Sequence, residues 1–299
     1  MSYRGPQNHT FNYHAYALAL GGWVTDKEKH VLPIHIAPSV LPFAGGYGSN
    51  TAVNVNIGFP LKFPFGQQGP ADFHIYVGRA YTEVSGVDTD DENPFGLYRT
   101  TARSVLDDVR INDVFSVEHA EAILTSTHEK PRPGENPEGK VVVGASDMFG
   151  VRAAGKDVAL AKRDYIDHEP TFTAMQSQLT PAPQGAGGGN GWLDELLDWQ
   201  NPAAVPTDDP ELEYAYDIAK MNQRNNGKLR YSIFKNVTVP GLKTFNTSIY
   251  VRDFGRIFLG EVIASHGTKQ VTMFRIDLGC DNCGGVGGSG GSTNGGPIP

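Results

Sequence analysis

The chain has 299 residues, enough for one large β domain or two ordinary domains, with 39% hydrophobic and 19% charged residues. Its 36 glycines and 20 prolines weaken helices and punctuate turns, so composition favours a turn-rich β protein over a helical one. The formal net charge of −8, with no dense Lys/Arg block, argues against nucleic acid or anionic lipid as a partner. No run approaches the roughly 18 apolar residues of a membrane-spanning helix, and no signal peptide is read at the start.

Residues 13–24, YHAYALALGGWV, alternate small and large side chains without charge. They predict a strand that ends or bulges at Gly21-Gly22. HVLPIHIAP from His30 also alternates, and its internal Pro33 marks an edge strand. In NTAVNVNIGF from Asn50, Val53, Val55 and Ile57 fall on one face and Asn54 and Asn56 on the other. ADFHIYVGRAYTEVSG from Ala71 sets Phe73, Ile75 and Val77 against Asp72, His74 and Tyr76. Residues 97–128 admit either state, because a helix would group Val117, Ala120, Ile123 and Leu124 while a strand would group Phe115, Val117 and His119. Frequent β-branched residues and a shifting period favour strands there. A turn-rich loop at 131–139 precedes a buried strand in KVVVGAS and a hairpin around Gly155-Lys156.

The character changes near residue 180. LTPAPQGAGGGNG reads as a flexible linker, and WLDELLDWQ after it places Trp192, Leu196 and Trp199 on one face of a short helix. A second helix is expected in TDDPELEYAYDIAKMNQRNNG, with Asp209 as cap, Pro210 in its first turn and Gly227 as stop. β character returns in KLRYSIFKNVTVPG, KTFNTSIYVRDFG, RIFLGEVIASHG and TKQVTMFRIDLG. The expected architecture is a mainly β, antiparallel, sandwich-like domain with a short helical insertion. Residues 1–179 form its first part, 180–227 the linker and two-helix insertion, 228–283 the final strands, and 284–299 a Gly-rich flexible tail. Two β lobes joined by the helices are the alternative.

Few residues carry chemistry. Cys280 and Cys283 lack a second Cys pair for a zinc ribbon and a following helix for redox work, so a turn disulfide or free thiols at the end of a strand is the reading. His14, His35 and His74 lie on expected strands and would bind a metal only if those strands were neighbours. Asp88 and Asp90 resemble part of a calcium loop, but Asn93 and Arg99 occupy positions where an EF-hand needs Gly and Glu. Asp107 and Asp108 are adjacent on a strand, point to opposite faces and make a poor acid–base pair. Ser146-Asp147 and His266 have no supporting motif, and no G-x-S-x-G, P-loop or Rossmann fingerprint is present. No cofactor and no catalytic residue is assigned. Trp192, Leu196 and Trp199 are the interface candidates.

FGRIFLGEVIASHG followed by VTMFRIDLG, together with VVVGASDMFGVRAAGKDV, resembles the closing β segments of bacterial secreted or surface proteins of the choice-of-anchor type. There are two departures from that group: no leader is read at the start, and no apolar sorting helix is read in the tail. The resemblance implies an exported, non-catalytic β protein and supplies no site residues. The expectation is therefore a structural or binding protein, extracellular or on the cell surface, that assembles with itself. A glycan or surface partner is kept open, and so are two alternatives: a polymer- or glycan-acting hydrolase with its site on a β face, and a metal-binding β protein.

Overall fold

The computed structural model describes residues 11–25, 30–59, 73–89, 96–130, 137–164, 166–167, 170–179, 228–235, 237–278 and 284–297. In chain order these form β1 (Phe11–Thr25), β2 (Val31–Val40), β3 (Gly46–Phe59), β4 (Phe73–Asp88), β5 (Leu97–Ile111) and β6 (Phe115–Glu129). Four short strands follow, β7 (Lys140–Val142), β8 (Asp147–Phe149), β9 (Arg152–Ala153) and β10 (Lys156–Asp157), and then the helix α1 (Phe172–Leu179). The rest is β11 (Lys228–Ser232), β12 (Lys243–Phe245), β13 (Ser248–Val251), β14 (Gly255–Ser265), β15 (Thr268–Leu278) and β16 (Gly284–Pro297).

The strands make two sheets with antiparallel pairing throughout. The first runs β12-β13-β14-β15-β16-β1-β2, with β11 also on β14, and the second runs β10-β9-β6-β5-β4-β3, with β7 and β8 also on β6. β11 and β13 share one edge of β14 end to end, on either side of Gly260. The N-terminal strands β1 and β2 sit in the same sheet as the C-terminal strands, so one sandwich forms rather than two lobes. The sandwich expectation holds, β5 and β6 are strands, and β2 is the outermost strand that Pro33 foretold. β1 pairs without a break through Gly21 and Gly22 to Val24. The expected helical insertion, with Trp192, Leu196 and Trp199, lies outside the described residues.

The expected flexible tail is a correction. Residues 284–297 form β16, a central strand paired with β15 on one side and β1 on the other. Glycine-rich sequence scores as linker because glycine loses the most entropy on ordering. Here the sheets approach so closely that a side chain would not fit. A Cβ on Gly288 would lie 2.1 Å from Phe274 and 2.8 Å from Leu106.

A row of left-handed residues crosses each sheet. In the first it passes through Gly260 (φ 64°), Ser289 (φ 49°) and Ala37 (φ 47°), on alternate strands. In the second it passes through Asn54 (φ 53°), Asp108 (φ 49°) and Gly150 (φ 66°). The ladder skips one residue pair at each row and resumes in unchanged register, as in Leu18↔Gly290 followed by Leu20↔Gly288. The in–out alternation slips by one at the same place. Phe73, Ile75 and Val77 face inward before the row on β4, and Ala80 and Val84 after it. On β15, Met273 and Phe274 are consecutive and both fully buried.

Hydroxyl side chains take up the carbonyls freed along these rows. Ser104 Oγ donates to Leu18 O at 3.1 Å, Thr82 Oγ1 to Ala37 O at 2.9 Å, and Ser232 Oγ to Leu259 O at 2.8 Å. Ser39 and Thr82 hydroxyls bond each other at 2.7 Å in the same buried layer. This layer separates a large core, built around Phe73, Phe115, Phe274, Leu106 and Ile233, from a smaller one of Phe11, Tyr13, Leu41, Val84 and Tyr98. The first turn of α1 is capped by Glu138, whose carboxylate accepts from Phe172 N at 2.8 Å and from Gly267 N at 3.1 Å.

Candidate functional site

The structure does not gather the strand histidines. His14 lies on β1 and His35 on β2, while His74 lies on β4 in the other sheet. All three side chains are exposed, and among the described residues no group of three His, Cys, Asp or Glu side chains is placed to hold a metal. Asp88 ends β4 in an ion pair with Lys130 at 2.8 Å, and Asp90 lies outside the described residues. Cys280 and Cys283 also lie outside them. Ser146 is buried and bonded to the backbone of Ile123, and His266 is exposed in the β14–β15 turn.

Asp107 and Asp108 need a correction. They do not point to opposite faces, because Asp108 is one of the left-handed residues and the alternation slips between them. Both are partly exposed and both bond to outward-facing partners. Asp107 joins a ladder on the outer face of the second sheet. Its carboxylate meets Arg79 Nε at 2.6 Å and His119 Nδ1 at 2.6 Å. His119 Nε2 lies 3.8 Å from Glu121, which pairs with Arg103 Nε at 2.6 Å. Burial acts to raise the Asp107 pKa, but the hydrogen bonds from His119 and Arg79 outweigh it and hold the carboxyl below its ordinary range. Hydrogen bonds to Tyr47 and Glu83 raise that of Tyr81 at the end of the ladder. Both His119 nitrogens face carboxylates and the ring stacks on Phe149 at 5.0 Å. The imidazole therefore bridges charges and is not aimed at a nucleophile. Sequence reasoning missed the ladder because its members come from different strands; only the register Arg79–Asp107–His119 unites them.

A buried polar layer lies between the sheets. The hydroxyls of Thr100, Ser126, Thr293 and Tyr231 and the amine of Lys269 have no hydrogen-bond partner among the described residues. Lys269 faces Thr293 across β15–β16, and Thr100 faces Ser126 across β5–β6. A separate shallow groove of about 520 Å³ opens on the outer face of the first sheet, where Trp23, Arg275 and Asp277 stand around glycines of β16.

Several exposed apolar side chains lie on β2, on β3 and on the connection by which the chain passes from the first sheet to the second. Val40 is 64% exposed, Phe43 71%, Tyr47 60% and Val53 61%. The sequence had grouped Val53 with Val55 and Ile57. The slip at Asn54 sends Val53 outward, while Val55 and Ile57 pack against the core.

These features define an antiparallel β-sandwich protein whose surface offers exposed apolar side chains on β2 and β3, a charge ladder and a shallow groove. By sequence the chain belongs to the family described as Domain of unknown function (DUF8256), which matches residues 11–265. No curated protein and no solved structure matches it.

Proposed function

We propose that this is a non-catalytic structural or binding protein that assembles with copies of itself. The observation that supports it is the set of exposed apolar side chains, Val40, Phe43, Tyr47 and Val53, on β2, β3 and the connection between them. Scattered exposed apolar residues are ordinary, but contiguous ones mark interaction surfaces. An extracellular or surface setting belongs to the same proposal and draws on the resemblance of the C-terminal strands to choice-of-anchor proteins. Native mass by light scattering, followed by electron microscopy of the same sample, tests it. A defined oligomer or regular assembly is expected, and a monomer at every concentration would refute it.

A second reading, glycan binding, draws on the groove beside Trp23. An exposed indole next to the Arg275 and Asp277 side chains suits the apolar face and hydroxyls of a sugar ring. Affinity electrophoresis through soluble polysaccharides would show retardation that Trp23→Ala abolishes; equal mobility of both proteins in every gel would eliminate this reading.

A further inference from the structure

We infer that two copies of this chain join through β3, pairing edge to edge about a twofold axis so that the second sheet continues from one copy into the other. This rests on the assembly reading above and names the surface and geometry.

The sheet edges differ in how they are guarded. An unpaired strand is a template for another chain, and proteins blunt such edges with proline, charge or short broken strands. The first sheet ends on one side in β2, which carries Pro33 and Pro38, and on the other in the three-residue β12. In the second sheet the outer side of β6 is covered piecemeal by β7, β8 and β9. β3 has none of these guards. It is 14 residues long, contains neither proline nor a charged residue, and among the described residues pairs only with β4. Not one of its described side chains is fully buried, although Ala52, Val55 and Ile57 lean on the core. This edge is thus more exposed than the interior strands of the sheet.

The neutral edge suits a second copy as the occupant. Each chain carries a net −8, so copies repel overall, but β3 brings no charge to meet itself. A twofold contact is also self-complementary and closes at two subunits. The left-handed rows place the axis. They fall on alternate strands, with Asn54 on β3, none on β4 and Asp108 on β5. Continuing that alternation requires an ordinary residue opposite Asn54. The axis therefore passes away from residue 54, and we place it at residue 49, 51 or 53, whose side chains are exposed, rather than beside Ala52, Val55 or Ile57, which lean on the core.

The test uses the full chain with Cys280→Ser and Cys283→Ser, carrying one of Ser49→Cys, Thr51→Cys, Val53→Cys or, as control, Ile57→Cys. Residues facing each other across an antiparallel pair are about 4.5–5.5 Å apart at Cα, within disulfide reach. Mild oxidation should link the position nearest the axis into a covalent dimer at least tenfold faster than Ile57→Cys. Val53→Lys, checked for an unchanged circular dichroism spectrum, should weaken dimerisation tenfold or more. An oligomer by light scattering without any cross-link at 49, 51 or 53 would overturn the β3 pairing and leave the assembly reading standing. A monomer under all conditions would overturn both.

Discussion

Ser289 inserts its hydroxyl between two strands of the opposite sheet, donating to the carbonyl of Ser104 at 2.7 Å. The same oxygen accepts from Ala122 N at 3.1 Å, and Ser104 and Ala122 are partners across β5 and β6. One fully buried side chain from β16 thus completes a ladder step in the other sheet. It does so from a left-handed backbone position, which aims Ser289 inward next to the equally buried Gly288.

Ser289→Ala should therefore destabilise the fold by about 1–3 kcal/mol, because it strands two buried backbone groups. Ser289→Gly loses the same hydroxyl but relieves the left-handed strain, worth about 1–2 kcal/mol, and should be the milder change. Urea denaturation of the two variants checks the order. If Ser289→Ala unfolded at the wild-type midpoint, the cross-sheet bond would contribute nothing to stability.

Neighbouring glycines of β16 should behave differently. A methyl on Gly288 points into the core and meets Phe274 at 2.1 Å. A methyl on Gly287 points outward, and its nearest neighbour is Thr272 at an ordinary 3.4 Å. Gly288→Ala should cost about 1–3 kcal/mol through overpacking. Gly287→Ala should be neutral or stabilise by up to about 1 kcal/mol, by restricting the unfolded chain. Differential scanning calorimetry would separate them, and equal Tm changes would contradict the placement of these faces.

The sequence announced most of the long strands, because alternation of apolar and polar residues survives on each side of a left-handed row. Phe73, Ile75 and Val77 are all fully buried as expected. Alternation fails where it crosses a row, and this is why residues 97–128 showed a shifting period. Asp108 breaks β5, and β6 slips at the facing position, between Val117 and Ala120. Val53 was misplaced for the same reason. β16 was illegible for a different one: its identity as a strand resides in what β1 and β15 leave room for, not in its own side chains. The Asp107–His119 ladder needed the register of three strands, which no local pattern encodes.

Lys269 gives the fold a pH dependence with a defined sign. Its amine is buried and lacks a hydrogen-bond partner among the described residues. Burial lowers its pKa from 10.5 to about 8, against the opposing pull of Asp167 and Glu138. Between these two values the unfolded chain binds more protons than the folded one, so this group's contribution makes stability rise with pH across that window. Below about 8 the cost of burying the ammonium is felt in full. At about 1.4 kcal/mol per pH unit, that cost is on the order of 3 kcal/mol. Lys269→Met should raise stability at pH 7 and flatten the rise between pH 8 and 10.5 seen by chemical denaturation. A variant with the wild-type slope would show that Lys269 keeps its charge in the folded protein.

Ending the chain after residue 283 distinguishes a linker from a strand most directly. A flexible tail could be removed without consequence. β16, however, pairs with β1 from Gly284 to Pro297 and with β15 from Gly285 to Thr293. Its loss would unpair facing edges of both strands, remove Val286 from the core and delete the Ser289 bridge. β1 and β2 would then keep no strand partner in the rest of the first sheet. The truncated chain should lose cooperative thermal unfolding and the near-ultraviolet signal of packed aromatics, since the lost burial and hydrogen bonds exceed the roughly 5–15 kcal/mol by which domains are stable. Adding the missing segment back as a synthetic peptide should restore both signals, because the slot is shaped by its neighbours. A truncated protein that melted like the full chain would place β16 outside the cooperative fold.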